Sequence, residues 1–127
     1  MEKKTLREVC ELVEISRRTV QGYEKASLVA PIGKNKYGYL LYDDIAVEKI
    51  KQIKQYQDFG FSVKQIKVLL EATDELYMKM MIERLKDMQM ELQQLQTNIK
   101  KIEGLISEKQ QWQRNRRGLL TARNVQS

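Results

Sequence analysis

A mainly α fold, with one small β-hairpin set among short helices and a long coiled-coil helix after them, is predicted by three features of the sequence. Apolar residues recur at helical spacing in four short stretches of the first 75 residues. A basic segment bounded by glycines, GKNKYG, separates two short apolar runs. From Met78 onward the apolar period changes to seven. The 127 residues suffice for one modest domain with an extension, since domains run to roughly 100–200 residues. The expected division is a compact head over 1–75, a dimerising helix over 76–112 and a basic tail over 113–127.

The first helix is marked by Thr5-Leu-Arg-Glu8, a capping box in which hydroxyl and carboxylate each satisfy one free backbone N–H. Leu6, Val9, Cys10 and Val13 then line one face, which predicts a helix from Leu6 to about Val13 and makes Cys10 a core residue. Glu14 and Ile15 leave room only for a tight turn before Ser16, a suitable N-cap for a second helix from Arg17 to about Lys25. Two short helices so joined form a helix-turn-helix, whose second helix is the one presented to a DNA groove. Val20 faces inward on it, leaving Arg17, Arg18, Thr19, Gln21 and Tyr23 for solvent or a partner.

The apolar runs Val29–Ile32 and Tyr39–Tyr42 flank Gly33–Gly38 and predict a hairpin. Its tip carries Lys34, Lys36 and Tyr37, groups that reach phosphates. Asp43 or Asp44 caps a third helix that buries Ile45, Ile50 and Ile53 and stops near Gly60. Ser62 and Gln65 form a second capping box, with Phe61 stapled to Ile66 across it. The fourth helix is expected to bury Val63, Ile66, Leu69 and Leu70.

Beyond Thr73, Met78, Met81, Leu85, Met88, Leu92, Leu95, Ile99, Ile102 and Ile106 alternate at spacings of three and four. Such a heptad seam is wet unless a partner helix covers it, and the chain holds no second helix of that length, so self-association is expected. Each buried Leu or Ile contributes about 1.5–3 kcal/mol, so nine positions suffice for a dimer.

The net charge of +6 leans toward a polyanionic partner. Most of the excess sits between Lys109 and Ser127, a stretch that contains Lys109, Arg114, Arg116, Arg117 and Arg123 and no acidic residue, while the first 75 residues are nearly balanced. That pattern fits a solvated terminus, so charge alone does not argue for DNA. The chain has no histidine and one cysteine, which removes Ser-His triads and most metal sites. No paired carboxylates, nucleophile-base set or phosphate loop is visible, and an enzyme is not expected. The start MEKKTLREVC lacks a signal-peptide core and no run approaches the ~18 apolar residues of a membrane span, so a cytoplasmic protein is expected.

Helix-turn-helix, basic hairpin, helix pair and long dimerising helix, in this order, resemble the MerR family of bacterial transcription regulators. The resemblance rests on TLREVCELVEISRRTVQGYEKASLV, YGYLLYDDIAVEKI and FGFSVKQIKVLL. It implies a winged helix-turn-helix that dimerises through its long helices, binds a pseudo-palindromic operator inside a promoter and distorts the DNA so that RNA polymerase can engage it. Residue by residue it implies DNA contacts from Arg17, Arg18 and Thr19, from Tyr23 on the phosphate backbone, from Lys34, Lys36, Tyr37 and Tyr39 in the wing, and from Lys64.

Two departures stand out: Gln21-Gly22 replaces a common Arg-Tyr, and Leu40 replaces an arginine of the wing. Metal-sensing members carry cysteines near the end of the dimer helix, and none follows Cys10 here, so neither metal nor cofactor is expected. A small-molecule effector, if used, is expected where Trp112 and the tail meet the methionine-rich helix start and the head of the other subunit. Two other readings remain open on sequence: a phage-type architectural DNA binder, and a coiled-coil interaction protein that binds no DNA.

Overall fold

The computed structural model describes the backbone of residues 3–126 and the side chains of residues 3–118. The elements in chain order are β1 (Lys4–Thr5), α1 (Leu6–Val13), α2 (Arg17–Lys25), β2 (Gly33–Lys34), β3 (Leu40–Tyr42), α3 (Asp44–Asp58), α4 (Val63–Leu70) and α5 (Asp74–Gln126). The chain divides into two compact units, Met1–Met80 and Met81–Ser127.

Both expected capping boxes form. Thr5 Oγ1 accepts from Glu8 N at 3.3 Å while Thr5 N donates to Glu8 Oε1 at 3.1 Å. Ser62 and Gln65 repeat the exchange at the head of α4. Asp43 caps α3, its Oδ1 accepting from Ala46 N at 2.8 Å. Each cap satisfies N–H groups that no preceding turn can reach. The turn between α1 and α2 closes on Glu14, a non-glycine residue in the left-handed region at φ 60.

The sheet differs from the expected two-stranded hairpin. β3 is central, pairing antiparallel with β2 on one side and β1 on the other, with Lys4 opposite Tyr42 and Gly33 opposite Leu41. A two-residue strand carries no periodicity, so β1 left no mark in the sequence. The first hairpin strand is also shorter and later than Val29–Ile32. Ile32 N still donates to Leu41 O at 2.8 Å, but Pro31 before it has no N–H to give, and Leu28 and Val29 go into the core instead.

The core gathers Val9, Val20, Tyr42, Ile50, Ile53 and Ile66, all without exposed surface. Phe61 and Ile66 are both buried beside the Ser62 cap, as the staple predicts, and Phe61 meets Tyr56 edge to face at 6.3 Å. Ile45, expected inside, is 74% exposed. Five residues before Ile50, it lies over a third of a turn off the stripe formed by Ala46, Val47, Ile50 and Ile53. Val63 and Leu70, at the two ends of α4, are only partly covered.

α5 begins on Thr73, whose hydroxyl accepts from Leu76 N at 3.2 Å. The helix then runs through residues 75, 76 and 113 without a break, so no change of secondary structure marks the expected boundaries there. Met81 is half-buried and the other eight seam residues from Met78 to Ile106 are exposed in the single chain. Arg123, counted in the basic tail, lies outside the described side chains. Among the described residues, no helix is long and apolar enough to cross a membrane.

Candidate nucleic-acid interface

Ser16 fixes the start of α2. Its Oγ accepts from Thr19 N at 3.1 Å and lies 2.7 Å from Thr19 Oγ1. The Thr19 side chain is thereby held against the cap, and Arg17 and Arg18 project into solvent from the first turn. A helix N-terminus with two exposed guanidinium groups favours an anion, because free N–H groups and side-chain charge act in the same direction.

The wing is shaped by Asn35. Its Oδ1 accepts from Tyr37 N at 2.9 Å and from Tyr39 N at 3.0 Å, and its backbone carbonyl accepts from Gly38 N. Gly38 at φ +81 takes the conformation that only glycine adopts without strain. The turn leaves Tyr37 and Tyr39 exposed with ring centroids 6.5 Å apart, and Lys36 Nζ lies 5.1 Å from the Tyr37 ring. Lys34 is exposed on β2 and Lys64 on the first turn of α4.

Pairing of β1 with β3 draws the start of α1 toward the wing. The result is a cleft of about 440 Å³ lined by Thr5, Leu6, Arg7, Arg17, Gly38, Tyr39 and Leu40. It unites Arg17 of the recognition helix with Tyr39 of the wing and adds Arg7, which the sequence offered only as part of a capping motif. Arg7 Nε is 3.4 Å from Glu11 Oε1, an exposed pair that solvent weakens. Leu40, where the family commonly has arginine, lines the same cleft with an apolar side chain.

Tyr23, expected on the phosphate backbone, has an intramolecular partner in this chain. It is 2% exposed and its hydroxyl donates to Gln57 Oε1 at 2.6 Å, tying α2 to α3. In this chain the ring is a core element, and burial pushes its hydroxyl pKa up. Gly22 beside it is exposed, and an added Cβ would meet nothing within 4 Å. The position where the family commonly has tyrosine is thus open surface.

Two further side chains tie the helix-turn-helix to the rest of the head, Tyr42 through α2 and Lys54 through the end of α1. The Tyr42 hydroxyl donates to Glu24 Oε1, linking β3 to α2. Burial, then this bond, raise the Tyr42 pKa, so both act against ionisation. Lys54 Nζ of α3 donates to Val13 O at 3.0 Å and Glu14 O at 3.3 Å. A cation at the C-terminal carbonyls of α1 satisfies acceptors that the helix leaves open. Neither link was visible in the sequence, because each joins residues far apart in the chain.

Trp112 is half exposed on α5, with Lys109 Nζ at 5.0 Å and Arg116 Cζ at 5.3 Å from its ring. Among the described residues no group of His, Cys, Asp and Glu could hold a metal ion. Cys10 is half-buried in α1, and burial raises its thiol pKa.

A tight two-helix turn, a second helix tethered to the domain behind it and a basic aromatic wing alongside define a winged helix-turn-helix protein. The chain matches the family described as MerR HTH family regulatory protein over residues 4–73 and belongs to that family. It is 32% identical over 69 residues to the HTH-type transcriptional activator mta of Bacillus subtilis, covering 54% of this chain and 27% of that protein. Over 67 residues it is 33% identical to a probable heavy metal-dependent transcriptional regulator of Haemophilus influenzae, covering 53% of this chain and 52% of the relative. The chain thus spans between a quarter and about half of the length of these curated relatives.

Among solved structures the fold is shared with HiNmlR, a MerR family regulator lacking the sensor domain, crystallised bound to promoter DNA. The TM-score is 0.65 at 21% identity, over 77% of this chain and 79% of that one. The N-terminal part of the Bacillus subtilis multidrug transporter activator, MtaN, aligns with a TM-score of 0.55 at 23% identity, over 76% of this chain and 98% of that one.

Proposed function

We propose that this chain is a sequence-specific, double-stranded-DNA-binding transcription regulator, acting as a homodimer at a pseudo-palindromic promoter operator. The cleft that brings Arg17 together with Tyr39 carries this reading: it offers one phosphate-bearing strand a guanidinium and a wing tyrosine at once. Arg18 and Thr19 read base edges from the helix start, and Lys34, Lys36, Tyr37 and Lys64 hold the backbone. Tyr23 acts indirectly, by orienting α2 through Gln57.

The exposed seam from Met78 to Ile106 supports dimerisation, since nine apolar positions in one stripe are unstable in water. Two linked heads can then bend a promoter at a cost of about 1–6 kcal/mol, offset by added phosphate contacts. RNA polymerase is engaged through that altered DNA, and the chain works in the cytoplasm without cofactor or catalysis.

Selection of bound fragments from genomic DNA tests the reading, with recovery of inverted repeats inside promoters as the expected result. Recovery of recombination attachment sites would favour the architectural alternative, and no salt-dependent enrichment of any DNA would reject the proposal. Within the recovered operator, Arg18→Ala is expected to weaken specific binding by about 1–3 kcal/mol at one base position. Lys36→Ala is expected to weaken all sequences alike.

A further inference from the structure

The apolar seam of α5 stops at Ile106. Continued by the same alternation of three and four, it falls on Lys109, Gln113 and Arg116, none of which brings apolar burial to a helix pair. Lys109 and Arg116 flank Trp112 at helical spacing and lie within cation–π distance of its half-exposed ring. The residues three and four away from Lys109 are Leu105, Ile106, Trp112 and Gln113, and those around Arg116 are equally free of carboxylates. Elsewhere in the chain cations meet acids along a helix, as in Lys51 with Glu48 and Arg84 with Glu91. From Lys109 to Ser127 no acidic residue is present to do so.

A helix face on which Lys109 and Arg116 have no carboxylate three or four residues away, and on which the apolar stripe gives way, suits a polyanion better than a protein surface. Protein interfaces depend on an apolar or aromatic centre, and between Lys109 and Arg117 Trp112 is the sole such side chain. Phosphate binding asks only for cations and hydrogen-bond donors, which the ammonium, the guanidinium groups and the indole N–H supply.

We infer that this end of α5 is a second nucleic-acid contact, in which Lys109, Arg116 and Trp112 hold phosphates of duplex DNA outside the operator half-sites without reading sequence. The inference rests on the DNA-binding role proposed for the head, but its test separates the two. Trp112 is the only tryptophan of the chain, so its fluorescence reports this face alone.

Full-length protein carrying Arg17→Ala and Arg18→Ala is titrated with a random-sequence DNA duplex at low salt. The expected result is a change in Trp112 emission that is reversed by added salt, although the head no longer selects an operator. A second variant, Lys109→Gln with Arg116→Gln, is compared with the unaltered protein on long DNA. Its log affinity is expected to depend less steeply on log salt, by about 0.9 for every phosphate that is no longer neutralised, with helix content and oligomeric state unchanged. Trp112 emission that ignores DNA, or an unaltered salt slope in the second variant, overturns the inference. A response to polyglutamate at lower concentration than to DNA also overturns it and assigns the face to an acidic protein. If the unaltered protein selects no operator, the proposed head function fails while the Trp112 titration still decides this one.

Discussion

In the head, Ile50, Ile53 and Ile66 are each fully shielded by other parts of the same chain, whereas in the long helix Leu92, Leu95 and Ile99 are each about half exposed. Both regions are helical and both carry regular apolar patterns. In the head those patterns are short and differently directed, so α1, α3, α4 and the sheet can close over one another. In α5 the pattern is a single straight stripe, and a stripe on one helix can be covered only by another helix. Met1–Met80 thus buries its core apolar side chains within itself, while the described residues of Met81–Ser127 carry an exposed apolar stripe.

The largest effect expected from that contrast comes from Leu92→Glu combined with Leu95→Glu, which forfeits about 3–6 kcal/mol of burial per chain at ~1.5–3 kcal/mol for each leucine. Sedimentation is expected to show monomers and circular dichroism a large loss of helix, with the head still folded. A dimer that survives both substitutions would show that the seam is not the surface of association.

Ile50→Ala addresses the other region. Loss of a fully buried isoleucine is expected to destabilise the head by about 2–5 kcal/mol. In a thermal scan the head transition moves down while sedimentation still reports the same oligomer. Dissociation together with unfolding would break the independence of the two regions.

Gly22→Ala sharpens the reading of α2. The new methyl meets nothing, and replacing glycine inside a helix is expected to stabilise the head by about 0.8–1 kcal/mol, seen as a raised midpoint in denaturant. A loss of stability would mean that α2 is held in a geometry other than a regular helix.

The smallest effect concerns Glu8, which accepts from the backbone and hydroxyl of Thr5 and so has its pKa held below the ordinary 4.5. A depressed carboxyl contributes its stability above the unfolded value, so the contribution is present at neutral pH and is lost as pH falls below 4.5 through the lower folded value. Glu8→Gln is expected to flatten the acid limb of the stability profile slightly. An acid limb that coincides with that of the unaltered protein would remove Glu8 as a contributor.

Much of the helical layout was legible because its determinants are local. The capping boxes at Thr5 and Ser62, the N-caps Ser16 and Asp43 and the period-seven seam each lie within one turn or one repeat of the residues they govern. The wing was legible as a turn at Asn35–Gly38 but not in its register, since Pro31 limits the first strand and β1 arrives from the other end of the domain. The departures came where position along one helix had to stand for position in the domain. Ile45 repeats the chemistry of Ile50 yet lies outside the core, and Tyr23, left for solvent or a partner by its place on α2, is buried and donates to Gln57.

By itself the sequence determined which segments are helices, where most of them are capped, and that one of them bears an apolar stripe of period seven. Hydrogen bonds to neighbouring backbone and side-chain periodicity act over a few residues and are written in order along the chain. Only the tertiary structure decided that Arg7, Arg17 and Tyr39 share a cleft, that Tyr42 braces α2 while Lys54 ties the end of α1 to α3, and that Tyr23 belongs to the core. Those outcomes depend on strands and helices from distant parts of the chain meeting in space, and no local pattern records which of them will meet.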